Sequence, residues 1–333
     1  MKMRILSIIL AAVLAVTLAA CAGQPAPAPE PEIEVEQPPL AGEQPPPAPE
    51  PEEPFQGSII SLGPSITEVL VELGVGEQII AADEHSADVP GLPEGIPLFP
   101  GFGLDPEQLI ILQPDVVFVT GMMRGVGDDP FRALESAGIN IVDVPISRDV
   151  QEIARDIRFL AEVLGLPGQG EEIIGMMEAR FWMVREAVAL AGCERPTVFF
   201  EIEAAPFLYS FGSGVFLNEL IELAGGVNIF AGEQGWLAAS DEAVVSANPD
   251  VILTNVGWLE DPVGEVLGRP GWAGVAAVAN GRVYYIDVNA SSRPSHNVAL
   301  AAEQILEALH PGAMEDWLMS LAQARFDPSI PRQ

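Results

Sequence analysis

Basic residues are scarce in this sequence. Among 333 residues there are 15 Lys and Arg against 48 Asp and Glu, so the formal net charge is −33. A protein that binds nucleic acid by neutralising phosphates needs a basic surface, so this composition excludes that class of partner. Apolar residues make up 49% of the chain. A sequence of this length and composition can bury the cores of about two domains.

Cysteine and histidine are also rare. The two cysteines, Cys21 and Cys193, cannot build a disulfide framework or a cysteine zinc site, and three histidines argue against a dedicated histidine metal site. We therefore predict no bound metal and no cofactor, and we expect Cys193 to be an inert reduced thiol. The common enzyme signatures, such as the nucleophile elbow, the zinc-protease helix and the phosphate-binding loops, do not occur in usable context.

Residues 1–20 have the features of an export signal. Lys2 and Arg4 precede an apolar run that leads into Leu18-Ala19-Ala20-Cys21, the pattern of a bacterial lipobox. Residues 5–20 number only 16, fewer than the about 20 that span a bilayer, which argues against a transmembrane anchor. We predict removal of residues 1–20 and lipid attachment to Cys21. Cleavage removes the only lysine, so the lipid must hold the chain on the extracytoplasmic face of the plasma membrane.

Residues 21–54 are predicted to be a disordered linker. Positions 22–54 contain 12 prolines, 8 glutamates and no basic residue. Proline favours extended conformers and the glutamates repel one another, so this segment should form a stretched, solvated spacer. A proline-rich ligand for a partner domain is the alternative.

From Phe55 onward, short apolar runs alternate with helical periods, which predicts parallel sheets covered by helices. Two predicted helices, at 150–164 and 171–190, follow each other with no strand between them, and the alternation resumes at Thr197. We therefore predict an α/β fold with an N-terminal lobe at 55–166, a connecting helix at 167–194 and a C-terminal lobe at 195–333. In the first lobe, strands are predicted at 59–62, 78–82, 115–120 and 139–144.

An internal repeat supports two similar lobes. Glu107, followed by Pro114-Asp115-Val116, recurs 135 residues later as Glu242, followed by Pro249-Asp250-Val251. Each copy reads as an acidic helix start, a short helix, a Pro-Asp break and a buried strand. A weaker echo pairs Glu68-Val69-Leu70 with Glu219-Leu220-Ile221. A crevice between two such lobes is the expected ligand site.

These motifs resemble a known family. The segment SLGPSITE at 61–68 and the two Pro-Asp repeats look like the ABC-transporter substrate-binding proteins for ferric siderophores, haem and cobalamin, over about residues 58–309. The resemblance implies two three-layer α/β lobes joined by one long backbone helix, matched here by 171–190, with the ligand between the lobes. It also implies a membrane permease with its ATPase as partner, and we expect a monomer. An enzyme or a surface adhesin that keeps this fold is the alternative.

The resemblance also implies two docking residues, because similar proteins present one acidic residue on each lobe to arginines of the permease. The matching positions are Glu107 and Glu242. Glutamate near a helix start is stabilised by the helix dipole without any partner, so simple capping is the competing explanation. We favour docking because the pair occupies equivalent positions in a repeat.

The predicted ligand is a metal chelate, and the resemblance places seven loops around it, at 63–65, 83–86, 100–103, 121–124, 205–209, 235–236 and 289–296. Phe102, Phe207, Tyr209 and Trp236 could pack on its flat face. For Trp236, hinge packing is the alternative, whereas Trp258 and Trp272 are assigned to packing. Arg124 and Arg293 could grip acidic groups, while His85 and His296 could face each other across the cleft. The predicted ligand-binding residues are Pro64, Ser65, His85, Phe102, Arg124, Phe207, Tyr209, Trp236, Arg293 and His296.

Among the chelates of this family, a nearly neutral one such as cobalamin is favoured. The mature chain has no lysine, unlike siderophore binders that meet an anionic chelate with a basic basin.

Overall fold

The computed structural model describes residues 55–326, apart from residues 102, 122, 124–128 and 193–194. The predicted export signal, the linker and the lipidation site Cys21 lie outside the described residues, as do Phe102, Arg124 and Cys193. Within the described part of the chain, no helix combines the length and the apolar character needed to cross a membrane.

The first lobe is built on a five-stranded parallel sheet with the strand order β3-β2-β1-β4-β5. Its strands are β1 (Ile59–Leu62), β2 (Ile79–Asp83), β3 (Leu98–Phe99), β4 (Val116–Thr120) and β5 (Asn140–Val144). Every residue of β1 is buried, as expected when helices cover both faces of a parallel sheet. Those helices are α1 (Pro64–Glu72), α2 (Pro106–Leu112), α3 (Phe131–Ser136) and α4 (Val150–Val163). The four strands predicted here are confirmed to within one residue, and so is the helix predicted at 150–164.

The second lobe contains a four-stranded parallel sheet with the order β11-β10-β6-β8. Its strands are β6 (Thr197–Glu201), β8 (Val227–Asn228), β10 (Val251–Thr254) and β11 (Val283–Tyr285). An antiparallel pair, β7 (Tyr209–Phe211) with β9 (Trp236–Ala238), joins two segments that were expected to be loops. The helices that follow the connector are α6 (Phe216–Leu223), α7 (Asp241–Ala247), α8 (Pro262–Gly268), α9 (Ala276–Ala279), α10 (Val288–Ser292), α11 (Val298–Leu309) and α12 (Ala313–Phe326).

One long helix, α5 (Pro167–Ala191), connects the lobes and contains 25 residues. It begins four residues before the predicted start because Pro167 occupies its first turn, where the missing amide hydrogen is not needed. It ends at Gly192, whose φ of 58° is in the left-handed region. Helices α4, α11 and α12 pack against it, so it is part of the core rather than an exposed linker.

The repeated Pro-Asp motif has a structural explanation. Asp115 accepts hydrogen bonds from the amide (2.7 Å) and hydroxyl (2.8 Å) of Ser58, just before β1. Asp250 accepts the same pair of bonds from Thr197, at 2.8 and 2.7 Å, at the start of β6. In each lobe the aspartate therefore joins the amino ends of two neighbouring strands. These hydrogen bonds lower the pKa of both carboxyl groups.

The buried apolar side chains form three clusters that match a three-layer plan in each lobe. The largest runs through both lobes and combines the inner faces of both sheets with α1, α4, α5, α6 and α11. The outer faces have separate clusters, one around Val117 and Phe131 and one around Phe199 and Trp272. Because the shared cluster includes α5, the lobes are joined by packing as well as by the chain.

Candidate ligand-binding site

The loops that leave the carboxyl ends of the first sheet enclose a cavity of about 200 Å³, here called the first-lobe pocket. The strand order reverses between β1 and β4, and this is the position at which open parallel sheets bind ligands. The pocket is lined by Leu62, Gly63, Pro64, Asp83, His85, Gly101, Thr120 and Met123. It therefore draws on the loops after β1, β2, β3 and β4.

The loop between β1 and α1 is held in place by close packing and by a chain of buried hydroxyl groups. A Cβ atom on Gly63 would overlap the methyl group of Thr120, so a larger residue at this position would force Thr120 to move. Pro64 then starts α1 without needing an amide partner. Thr67 bonds to the hydroxyls of Ser61 (2.8 Å) and Ser86 (2.9 Å). These bonds tie α1 to the loop that carries His85.

A second, mostly apolar cavity of about 130 Å³ lies beside the first and is here called the side pocket. Pro64 and Thr120 line both cavities, and Ser65 lines only the side pocket. Its opposite wall contains residues 292–294 of the second lobe, so this space lies between the lobes. The hydroxyl of Thr120 is buried without a hydrogen-bond partner in the described structure.

In the second lobe, four large aromatic rings are exposed on the segments that follow β6, β8 and β10. Phe207 is 79% exposed, Tyr209 39%, Trp236 50% and Trp258 63%. Trp236 pairs with Phe211 across β7 and β9, and the ring centroids lie 5.9 Å apart in an edge-to-face arrangement. One side of the Trp236 ring is thus supported by the protein while half of it stays open to a ligand.

Trp258 was expected to be a packing residue, and that expectation is wrong. It follows β10, and its indole nitrogen donates a hydrogen bond of 3.1 Å to Glu203, which follows β6. These are the two strands between which the order of the second sheet reverses. Trp272, in contrast, is fully buried, which confirms the packing assignment. Its ring lies 4.4 Å from the guanidinium of Arg269.

Arg293 was predicted to grip the ligand, but the structure commits its guanidinium to protein groups. It donates 2.9 Å to Glu68, 2.7 Å to Asp88 and 2.8 Å to the carbonyl of His85. Burial disfavours its charge, yet the hydrogen bonds from Arg293 to Asp88 and Glu68 raise its pKa above the ordinary value. Arg293 therefore ties the lobes together at the edge of the side pocket, and we leave it out of the ligand-binding set.

The two histidines predicted to face each other have different surroundings. His85 is exposed beside Glu84, with a nitrogen-to-oxygen distance of 4.0 Å. His296 is mostly buried, 3.8 Å from a Glu72 carboxylate oxygen, and its Nδ1 has no hydrogen-bond partner among the described residues. Burial lowers the pKa of His296, although Glu72 and Glu68 oppose this effect. No group of three or more His, Cys, Asp and Glu that could hold a metal ion is found in the described residues.

Glu107 and Glu242 occupy equivalent exposed positions in the first turns of α2 and α7. Other side chains already cap these helices. The amide of Glu107 bonds to Asp105, and the hydroxyl of Ser240 accepts from Ala243. Both glutamate carboxylates are therefore free of the capping role itself, although the helix dipole still favours their charge.

Comparison with known proteins assigns this architecture to a family. The family model for the periplasmic binding protein matches residues 59–290, from β1 to α10. The chain belongs to the periplasmic binding protein family. This confirms the family predicted from the sequence and makes the chain a binding protein, not an enzyme.

The relatives extend this result. An uncharacterized ABC transporter substrate-binding lipoprotein of Bacillus subtilis is 26% identical over 259 residues, which is 78% of this chain and 81% of the relative. The crystal structure of the periplasmic vitamin B12-binding protein of Vibrio cholerae is 26% identical, with a TM-score of 0.61 over 77% of this chain and 98% of that one. The periplasmic heme-binding protein of Roseiflexus has a TM-score of 0.68 at 24% identity, over 77% of this chain and 98% of that one.

Proposed function

We propose that this chain is the substrate-binding protein of an ABC importer, anchored outside the plasma membrane by a lipid on Cys21, and that it captures a metal chelate between its lobes. The observation that carries the proposal is the set of four exposed rings in the second lobe. Exposed aromatic rings offer flat apolar surface to a large planar ligand. A vitamin B12-binding relative with the same fold supports a chelate of the cobalamin class.

Charge also favours a nearly neutral chelate. Arg293 is shared between Glu68 and Asp88, and Arg269 is shared between Glu201 and Glu265. Neither guanidinium therefore offers unpaired charge to an anionic ligand. Burial raises the pKa of Glu201, but the 2.7 Å bond from Arg269 opposes that shift. A polyanionic ferric chelate would find little compensation for its charge at these two positions.

Pro64, Ser65 and His85 supply the first-lobe contacts of this proposed site, and Phe207, Tyr209, Trp236 and Trp258 supply those of the second lobe. Thr120 lines both cavities, so its side chain is a further first-lobe contact for a ligand. Phe102 and Arg124 remain predicted contacts, because their loops border Gly101 and Met123 of the first-lobe pocket.

Equilibrium dialysis of the full-length chain in detergent tests the ligand class. The probes are cyanocobalamin, haemin, a neutral ferric hydroxamate and an anionic ferric catecholate. We expect one saturable site for cyanocobalamin and the weakest binding for the catecholate. Tightest binding of the catecholate would contradict the neutral-ligand argument. If no probe binds saturably, capture of a chelate is wrong and the adhesin alternative gains support.

Delivery to the permease is the second part of the proposal. Two exposed carboxylates, one on each lobe, can engage two separate basic sites on a two-fold permease. Glu315 is a suitable control because it is also an exposed glutamate in the first turn of a helix, α12, and has no counterpart in the repeat. Docking therefore predicts an effect for Glu107 and Glu242 that Glu315 does not share.

A further inference from the structure

The weaker echo in the sequence, between Glu68-Val69-Leu70 and Glu219-Leu220-Ile221, corresponds to a pair of contacts between the lobes. Glu68 lies on α1, which follows the first strand of the first sheet, and Glu219 lies on α6, near the start of the second lobe. Both carboxylates accept hydrogen bonds from the other half of the molecule rather than from their own lobe. They are the only members of the echoed triplets with a charge, since the other four residues are apolar.

Glu68 is buried. Among the described residues, its carboxylate accepts hydrogen bonds only from side chains of the second lobe. One carboxylate oxygen accepts from Arg293 at 2.9 Å. The other accepts from the hydroxyl of Ser295 and, at 3.0 Å, from the side-chain amide of Asn297. Each of these bonds has an ionised acceptor, which makes it stronger than a bond between neutral groups. Glu68 therefore fixes α1 to the segment that contains residues 293–297.

The same segment is tied to the first lobe at a second point. Arg293 donates to Asp88 at 2.7 Å, and the side chain of Asn289 donates to the other oxygen of Asp88 at 2.7 Å. Asp88 lies just after the loop that carries His85. The charge-assisted hydrogen bonds lower the pKa of Asp88 although partial burial acts in the opposite direction. Two first-lobe segments that border the first-lobe pocket are thus held by one second-lobe segment.

Glu219 makes the corresponding contact in the other direction. It accepts a hydrogen bond of 3.1 Å from the amide of Val150, the first residue of α4. Helix α4 follows β5, the last strand of the first sheet, just as residues 287–297 follow β11, the last strand of the second. Each glutamate therefore contacts the segment that leaves the last strand of the other sheet. The two contacts are therefore reciprocal in the order of elements of the two lobes.

The two contacts differ in strength. Glu68 has a guanidinium and two neutral donors, whereas Glu219 is exposed and has one backbone amide. Glu219 also faces the carboxylates of Asp149, Glu152 and Glu222, and of these Glu152 is paired with Arg148 and Arg155. Glu68 is thus the firmer contact and Glu219 the one that yields first when the lobes move.

We propose that Glu68 and Glu219 are paired positioning residues that set the separation of the two lobes, and so the width of the space in which a ligand is held. The inference depends on the two-lobe fold and on these contacts, and it does not depend on which chelate binds. Helix α5 alone would allow the two lobes to rotate about its ends. The two carboxylates restrict that rotation at two equivalent places.

The test is the distance between the lobes, measured by electron paramagnetic resonance on the full-length chain in detergent. Spin labels are placed at Ser136→Cys and Asn280→Cys, two exposed positions at the ends of α3 and α9, with Cys193→Ser to remove the other free thiol; Cys21 is kept, because its sulfur carries the proposed lipid. Glu219→Ala should broaden the distance distribution, and Glu219→Gln, which keeps an acceptor oxygen, should restore most of it.

Glu222→Ala is the matched control. Glu222 is on the same helix, one turn after Glu219, and its carboxylate bonds at 3.0 Å to Asn218 within its own lobe. We expect its distance distribution to equal that of the unmutated chain. Hydrogen exchange provides a local reading of the same contact, because protection of the Val150 amide should fall severalfold in Glu219→Ala and stay unchanged in Glu222→Ala.

For the firmer contact, Glu68→Gln and Asp88→Ala are compared. Glu68→Gln removes the charge opposite a buried guanidinium and could prevent folding, whereas Asp88 is half exposed and its removal should leave a folded chain. Asp88→Ala should broaden the distribution as well. The proposal is overturned if folded Glu219→Ala and Asp88→Ala chains both keep the original distribution, or if Glu222→Ala broadens it to the same extent.

Discussion

Replacing Trp236 by alanine should weaken ligand binding much more than it weakens the fold. The ring is 50% exposed. A tryptophan can bury up to about 250 Å², so covering the exposed half with a ligand removes up to about 125 Å² from water. At about 25 cal/mol per Å², this burial is worth roughly 3 kcal/mol, or about a 150-fold change in affinity. This is an upper value, because it assumes that the ligand covers the whole open half.

The fold loses less, because the supported side of the ring contributes chiefly its edge-to-face contact with Phe211. Such contacts are worth about 0.5–1.5 kcal/mol beyond the area they bury. The assay compares the dissociation constant of cyanocobalamin, from equilibrium dialysis, with the thermal unfolding of the ligand-free chain. Trp236→Phe should fall between the original chain and Trp236→Ala in affinity, because phenylalanine keeps a smaller ring.

Trp182 provides a closely matched control. It is 51% exposed, and its ring meets Trp317 edge-to-face at 5.6 Å, almost the arrangement of Trp236 with Phe211. It lies on the connecting helix α5, whereas Trp236 begins strand β9 of the second lobe. Trp182→Ala should therefore reduce stability by a similar amount and leave affinity unchanged. Equal affinity losses for the two variants, or lost stability with unchanged affinity in Trp236→Ala, would refute the stacking argument.

Glu107→Ala combined with Glu242→Ala should leave chelate affinity intact and should reduce uptake by cells more than either single change does. Glu315→Ala should leave both affinity and uptake unchanged. Normal uptake by the double variant would mean that both residues serve only to stabilise their helices. Deleting residues 22–54 should not change affinity, since these residues supply no apolar face, and a severalfold loss would make the linker part of the site. Burial lowers the pKa of His296 below its ordinary value of 6.5, so the fold favours the neutral imidazole. The free energy of unfolding should therefore be highest at and above pH 6.5, and it should fall as the pH drops towards the lower pKa of the folded state. His296→Gln should flatten that part of the curve of unfolding free energy against pH, and an unchanged slope would show that His296 is not the group responsible.

The sequence was most informative where local pattern and burial agree. Strands such as β1 and β4 are buried runs bounded by glycine, proline or aspartate, so their limits could be read to within one residue. The Pro-Asp repeat was recognised as a supersecondary unit, but its physical basis was not, because the partners of Asp115 and Asp250 lie 57 and 53 residues away. The short strand β9 was missed for the same reason. Its three residues carry no periodicity of their own and become a strand only by pairing with β7.

Side-chain roles were harder to predict than elements. Arg293 was predicted to grip the ligand, yet its guanidinium is paired with Glu68, which is 225 residues away in the sequence. Trp258 was assigned to packing, whereas it is exposed at the point where the order of the second sheet reverses. The role of Arg293 is decided by a long-range ion pair, and the role of Trp258 is decided by the exposure of its ring. Such facts leave no trace in spacing or composition.

The most direct test of the central claim is the visible absorption spectrum of the full-length chain extracted gently from the membranes of its own cells. We predict that extraction needs detergent and that the purified chain carries up to one equivalent of a coloured chelate. One cycle of unfolding and washing should remove this chelate, and added cyanocobalamin should then replace it. A colourless chain that afterwards takes up neither cyanocobalamin, haemin nor a ferric chelate would contradict the central claim.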